Sequence, residues 1–442
     1  MAFAFVVYAR FPEIMDMLIG TGLHAARIIL VLSLLATLLT GTVARAAFSR
    51  VGICMLAFTA WFCLSIPFSV WRGGSFKMLR DTWLFSIFSF LILAAAVQGL
   101  EQCRRIMYSL AAATVFIELS GVILGRVQQG RMALLEGTLG NANFLALILL
   151  MGLPFCLFVL QTKRGFSLLK IACLITIVLA PLTIVSTGSR GGLITMVFMF
   201  LLYFVRLPLS QKPVVIIAAG LLGIFAVARS SQSALDRYKA IFVSSDHVPY
   251  VASSSELSAV ESTQSRKVLL LASLRMTLQH PLLGVGPGMF EVANAKDEED
   301  KGHASWKAWY ETHNAFTQIS SEAGLPALLL YGAALFFCFR TARVARKQAR
   351  QNPAAACLDL PAFALRLSLI AFTGTCLFTS VAYAYYFPLL AGLCVAFERA
   401  MPGAVAALQP VAVSPAPAAS RQPPTRETGR YPAAAPLPQA RS

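Results

Sequence analysis

Between Ser262 and Leu325 lies a polar stretch of mixed charge. It holds the densest set of chemically capable side chains in the chain: Arg266, Arg275, Trp306, Trp309, Tyr310 and His313. Thr312-His313-Asn314 precedes apolar residues at helical spacing, Phe316, Ile319 and Ala323. That pattern makes Thr312 the N-cap and His313 the first helical residue. The positive end of a helix disfavours imidazolium, so His313 is expected to stay neutral and free to take a proton. It is a candidate general base; the plainer reading is a surface or capping histidine. Trp306, Trp309 and Tyr310 either line a sugar-binding cleft or mark a membrane interface.

Arg266 falls in a helix expected over Thr263–Gln279, ended by Pro281. Leu270, Leu271, Leu274 and Leu278 form one apolar stripe on it. Arg266 lies one turn before Leu270, which points it toward the packed side, whereas Arg275 is expected to be exposed. A half-buried arginine needs an anion, either a protein carboxylate or a phosphate. A second anion site is expected at Ser186-Thr187-Gly188-Ser189-Arg190-Gly191-Gly192. Ser and Thr suit an N-cap, free N–H groups and the helix dipole attract anions, and the glycines admit a close approach. Arg190 adds a fork that fits phosphate oxygens; it equally fits a charge that marks a membrane boundary.

Two other stretches carry less. Gly284-Val285-Gly286-Pro287-Gly288 superficially resembles a nucleotide loop, but no strand precedes it and Pro287 interrupts it, so a tight turn is expected. The acidic run Asp297–Asp300 reads as a solvated loop in preference to a Ca²⁺ or Mg²⁺ site.

The elements that must position these groups are membrane helices. Of 442 residues 57% are hydrophobic and 13% charged, against about 25% charged in a soluble domain. Mean hydropathy is +0.69. The formal net charge of +17 does not point to nucleic acid, because Lys and Arg sit in short links between apolar runs. Clear spans are Leu23–Thr40, Val51–Val70, Met78–Gln98, Ile106–Leu124, Asn143–Leu160, Leu168–Val185, Leu193–Val205, Val214–Ala228, Leu325–Phe339, Ala362–Ser380 and Tyr383–Phe397. Met1–Gly20, interrupted by Arg10 and Pro12, is either an irregular crossing or an interfacial helix. The expected fold is an all-α polytopic membrane protein of about twelve crossings. Four parts are expected: 1–229, the N-terminal helix bundle; 230–321, a large outer loop; 322–399, three further crossings; and 400–442, a disordered cytoplasmic tail rich in Pro and Ala.

Arg45 and Arg50, Arg104 and Arg105, Lys163, Arg164 and Lys170, Arg206 and Lys212, and the run Arg340–Arg350 fall in alternate links. The positive-inside rule puts these in the cytoplasm. The link Ser186–Gly192 and the large loop then lie outside. Arg72, Lys77, Arg80, Arg126 and Arg131 are outer exceptions, as an anion-binding cleft or interfacial snorkelling would require. Nine cysteines include no CxxC, and none falls between Ser230 and Ser321. A disulfide framework in the loop is excluded and a thiolate metal site is not expected. No cleavable signal peptide is evident.

Four stretches resemble the O-antigen ligase family, which also includes O-antigen polymerases and protein O-oligosaccharyltransferases. They are Gly137-Thr138-Leu139-Gly140-Asn141-Ala142-Asn143, Ser189-Arg190-Gly191-Gly192, Pro281–Gly288, and His313-Asn314-Ala315-Phe316 followed by Glu322-Ala323-Gly324-Leu325-Pro326. The resemblance covers roughly Leu23–Phe397 and leaves out the tail and the first twenty or so residues. It implies a GT-C-like, inverting, metal-independent glycosyltransferase of the bacterial inner membrane with its site facing the periplasm. The donor would be O-antigen on undecaprenyl pyrophosphate, the acceptor a sugar hydroxyl of lipid A–core, and no cofactor would be needed. Arg190 and Arg266, assisted by Arg126 and Arg131, would hold the pyrophosphate, and His313 would deprotonate the acceptor. Membrane lipids are the other expected partners. A polymerase, a protein glycosyltransferase and, in another class, a lipid-linked glycan transporter are the rival expectations.

Overall fold

A bilayer offers the backbone no hydrogen-bond partner, so apolar runs that enter it close their bonds internally as helices. The computed structural model describes residues 1–19, 25–39, 41–128, 130–134, 138–162, 165, 167–239, 254–302 and 309–406. Expectations for Gly137, Lys163, Arg164, Trp306 and the tail beyond Ala406 lie outside these residues.

The helices are α1 (Ala2–Tyr8), α2 (Phe11–Ile19), α3 (Ala25–Leu39), α4 (Val43–Ala47), α5 (Arg50–Ser65), α6 (Arg72–Met78), α7 (Leu84–Ala96), α8 (Leu100–Leu124) and α9 (Ala142–Thr162). Then come α10 (Leu168–Ser186), α11 (Arg190–Arg206), α12 (Lys212–Arg229), α13 (Gln232–Lys239), α14 (Ser254–Gln279), α15 (Phe290–Asp300), α16 (Ala315–Gln351), α17 (Asp359–Cys376) and α18 (Tyr386–Ala406). Among the described residues nine helices are long and apolar enough to cross a membrane, so the protein is a multi-pass membrane protein. The other two expected spans are shorter helices: α3 has 15 residues and α11 has 17. Met1–Ile19 is not one continuous helix. It is the pair α1 and α2, broken at Arg10, where φ is 51°. Phe3, Val7 and Tyr8 are buried, and the Tyr8 hydroxyl donates to the Ile148 carbonyl at 2.7 Å.

The chain is not wholly helical. Arg126–Gln128 (β1) and Arg131–Ala133 (β2) form an antiparallel hairpin with Gln128 opposite Arg131. Nor does helix end at residue 400: α18 continues to Ala406 through Pro402.

The core lies where α5, α7, α16, α17 and α18 meet. Phe58, Phe62 and Trp83 pack on Tyr331, Tyr383 and Phe387, all fully or almost fully buried. Trp83 Nε1 donates to Thr59 Oγ1 at 3.0 Å. Such rings keep the helices in register, because rigid aromatic surface packs in few ways.

Two of the sequence stretches noted above lock onto each other at the end of this bundle. Within α16, Gly324 leaves helical geometry at φ 84°. A Cβ there would collide with the Leu282 carbonyl, and one at Gly284 (φ 66°) with the backbone of Glu322. The two segments are joined by Val285 N–H to Ser321 O (2.9 Å), Gly286 N–H to Glu322 O (2.9 Å) and Leu325 N–H to Pro281 O (2.8 Å). The Glu322 carboxylate accepts from Gly288 N–H at 2.8 Å and Phe290 N–H at 3.3 Å. The glycine-rich segment is a structural turn that fastens α14 and α15 to the start of α16.

Candidate functional site

Above the bundle a cleft of about 800 Å³ opens between the hairpin, the start of α9, α13, α14 and the residues before α16. Arg131, Arg237, Arg266, Asn143, Tyr310 and His313 line it, with Glu261, Ser262 and Ser265 on α14.

Each cation is placed by local structure. Arg131 sits on β2; its Nε donates to Thr187 O at 3.0 Å and its Nη2 to Asn143 Oδ1 at 2.9 Å. Asn141 in turn holds Asn143 N–H at 2.9 Å. Arg190 begins α11 behind the cleft wall, only 8% exposed. Ser189 caps that helix by accepting from Gly192 N–H at 3.2 Å. The Arg190 guanidinium donates to Thr263 Oγ1 and, at 3.5 Å, to Ser262 Oγ. Arg237, on α13, reaches the same Ser262 hydroxyl at 3.4 Å, while its buried Nε has no hydrogen-bond partner. The next residue anchors it: Tyr238 donates to Val185 O at 2.7 Å. Arg266 lines the cleft with no hydrogen-bond partner among the described residues.

No salt bridge joins these four arginines to a carboxylate among the described residues. Burial, then Arg237 and Arg266, push Arg131 down to about 9; burial, then Arg190 and Arg237, push Arg266 down to about 10. Arginine does not give up its proton in proteins. The depressions reflect burial first and the crowding of like charges second.

His313 differs from expectation in position. Asn314 is the N-cap, its Oδ1 accepting from Phe316 N–H (2.9 Å) and Thr317 N–H (3.2 Å), and α16 starts at Ala315. His313 lies just outside the helix in the left-handed region, φ 53°. Such a conformation costs about 1–3 kcal/mol outside glycine. It is held from the α17–α18 connection, where Ser380 Oγ accepts from His313 N–H at 2.8 Å and meets Thr312 Oγ1 at 3.0 Å. The imidazole is neutral, as expected, but for another reason. Burial lowers it to about 4, helped by Arg266 and Arg131; the helix end is not the main cause.

Of the residues picked out from sequence, Arg131, Arg266, His313 and Tyr310 meet in the cleft lining, and Arg190 touches it through Ser262. Arg126, on β1, is exposed and lies outside the lining. Trp309 is exposed. Arg237 was not singled out from sequence; its signal was a cation just beyond a span, on the side the positive-inside rule leaves poor in charge. The stripe Leu270, Leu271, Leu274 and Leu278 is exposed, and the packed face of α14 is Leu269, Ala272, Ser273 and Met276. Arg266 lies on that face, three residues before Leu269. Asp297–Asp300 is the last turn of α15, where Arg275 pairs with Asp297 and Lys301 with Asp297 and Glu298. Among the described residues no group of three or more His, Cys, Asp or Glu is arranged to hold an ion.

The fold and cleft define a multi-pass helical membrane protein with an arginine-lined, histidine-bearing cleft at one end of its bundle. Residues 175–332 match the family model described as Wzy_C: O-Antigen ligase, so the chain carries an O-antigen ligase family domain. The matched part holds Arg190, Arg237, Arg266 and His313, while Arg131 and Asn143 precede it. No curated protein matches the chain.

Proposed function

We propose that the protein transfers a glycan from a polyprenyl pyrophosphate to an acceptor hydroxyl at the outer, periplasmic face of a bacterial inner membrane. The observation that carries this reading is the cleft itself: three guanidiniums in its lining and Arg190 behind its wall, unpaired with carboxylates among the described residues, with one neutral imidazole in the same lining. Arg131, Arg190, Arg237 and Arg266 hold the diphosphate. They stabilise the negative charge that grows as the anomeric C–O bond to phosphate breaks. His313 takes the proton of the acceptor hydroxyl while its oxygen bonds the anomeric carbon from the opposite face, which inverts that centre. The diphosphate leaves with the bonding electrons. A GT-C-like assignment fits this outer-face site on a helical bundle.

The family match takes in Arg190, Arg237 and Arg266 but not Arg131, and it supports donor chemistry more directly than any acceptor. The hydroxyl belongs to another glycan or a protein in the polymerase and oligosaccharyltransferase readings, and to lipid A–core in the ligase reading. The test is transfer in detergent, with purified undecaprenyl-pyrophosphate-linked glycan and each acceptor in turn. Transfer without a sealed membrane is expected, and His313→Ala should lower kcat by about 10²–10⁴-fold while the protein remains folded. Unchanged turnover in that variant removes His313 from the mechanism, and failure with every acceptor removes the reading.

A further inference from the structure

Helix α14 is apolar on two opposite faces. One face, with Leu269, Ala272 and Met276, is buried against α16 and the turn that follows α14. At 100° per residue, Leu271, Leu274 and Leu278 point the other way. They are exposed, Leu278 by 79%, and so are Val268, Leu270 and, just past the helix, Leu282. Single exposed leucines are ordinary on any surface, but a continuous apolar stripe marks a contact.

The rest of the structure identifies the partner. Beyond Leu282 the stripe meets spanning helices. Trp61 Nε1 on α5 donates to the Leu282 carbonyl at 3.3 Å, and Leu325 on α16 is bonded to Pro281 at 2.8 Å. Leu64 on α5 and Leu325 and Leu329 on α16 are exposed too. Those helices are long and apolar enough to cross a membrane, the setting in which exposed leucines meet acyl chains. The stripe of α14 is continuous with that surface. Lys267 and the Arg275–Asp297 pair flank it, as side chains that extend to the headgroup level do.

We propose that α14 is embedded in the outer leaflet, with Val268, Leu271, Leu274, Leu278 and Leu282 in the acyl chains of membrane phospholipid. Ser262 and Arg266, near the opposite face of the same helix, then stand about one helix diameter, roughly 10 Å, from the hydrocarbon. In the transfer reading, a lipid-linked diphosphate reaches the guanidiniums without leaving its leaflet. The embedding itself is independent of that reading.

Nitroxide labels at Leu271→Cys and Leu278→Cys, with Glu299→Cys as an aqueous control, test it in a Cys63→Ser/Cys357→Ser background. The protein is reconstituted in vesicles of phosphatidylethanolamine and phosphatidylglycerol. Oxygen should relax the two leucine-site labels more than a water-soluble nickel chelate does, and the order should reverse at Glu299. The nickel chelate dominating at all three sites overturns the proposal, as does spin–spin broadening at the leucine sites, which would put a second copy on the stripe. A measurement on the unsubstituted protein guards against misfolded variants. Phospholipid bearing a photoreactive acyl chain should crosslink to Val268–Leu282, and crosslinks confined to the spanning helices would also overturn it.

Discussion

At the end of the bundle away from the cleft, Arg206 and Arg346 share Asp359. Both guanidiniums also lie on the Phe363 ring, 4.1 and 5.1 Å from its centroid. Arg105 pairs with Glu101 at 3.4 Å, and Arg399 donates to Ala94 O at 2.9 Å. In the cleft, Arg131, Arg190 and Arg237 have only hydroxyls, one amide and one carbonyl as hydrogen-bond acceptors. The two regions use the same side chain for different ends. Asp359 is a permanent counter-charge shared by its two arginines, so that region contributes to stability. The cleft leaves its charge unbalanced, which costs stability; in the proposed reading an anionic donor restores the balance when it binds. The arginines outnumber the one lining carboxylate, Glu261, and such unbalanced charge is a mark of functional sites.

The strongest way to break that comparison is to take charge out of the cleft. Arg190→Ala and Arg266→Ala should each lower transfer by about 10²–10³-fold, the usual cost of losing a donor that stabilises developing negative charge. Arg190→Lys and Arg266→Lys should recover little, because an ammonium lacks the planar fork. Full activity with lysine at both positions would reduce these residues to simple charges. Kinetics with purified donor decide it.

A smaller effect is expected behind the imidazole. Ser380→Ala removes the acceptor that holds His313 N–H. Losing one hydrogen bond of about 1–1.5 kcal/mol should lower kcat roughly tenfold and leave donor KM near its original value. Ser380→Thr, which keeps the hydroxyl, should restore most of it. A fall in KM and kcat together, unrelieved by threonine, would show that Ser380 merely packs.

Thermal melts in detergent sharpen the contrast in sign. Asp359→Asn breaks a half-exposed network and should lower Tm, for a loss of about 1 kcal/mol. Arg237→Gln relieves like-charge repulsion and should raise Tm slightly, while weakening the stabilisation that inorganic pyrophosphate gives the original protein by binding the folded state. If Arg237→Gln lowers Tm as Asp359→Asn does, the cleft is a structural network and not a waiting site.

Much of this arrangement was legible in the residues, for identifiable reasons. Apolar run length reports crossings because lipid enforces helices, and Arg190, Arg266 and His313 stood out as polar groups beside such runs. What escaped depends on three-dimensional neighbours. Both Thr312 and Asn314 are good caps, and only the contact with Ser380 decides that the helix starts after Asn314. The α14 leucines were assigned to the packed side because an apolar stripe does not say whether protein or lipid covers it. Arg237 acquires its place from Tyr238 holding the last turn of α10, a contact between residues 53 apart. Arg126 and Arg131 look equivalent in sequence, and the hairpin register separates them.

The smallest predicted effect is in the pH profile, and it tests whether the arginines and the imidazole act on each other. In the unloaded cleft burial, Arg266 and Arg131 hold His313 at about 4. The neutral, proton-accepting form persists above that value and is lost as pH falls through it. The acid limb of kcat/KM, which reports the free protein, should therefore lie near pH 4, below the ordinary range of histidine. A bound diphosphate neutralises the same guanidiniums and removes part of that depression. The acid limb of kcat, which reports the loaded protein, should then lie higher. Arg131→Gln should raise the kcat/KM limb and narrow the gap between the two. Glu311, two residues before His313, is held at about 7 by burial and by Glu291; a limb near pH 7 that disappears in Glu311→Gln belongs to that carboxyl. Coincident limbs for kcat and kcat/KM, unmoved by Arg131→Gln, would mean that the imidazole and the anion site do not sense each other.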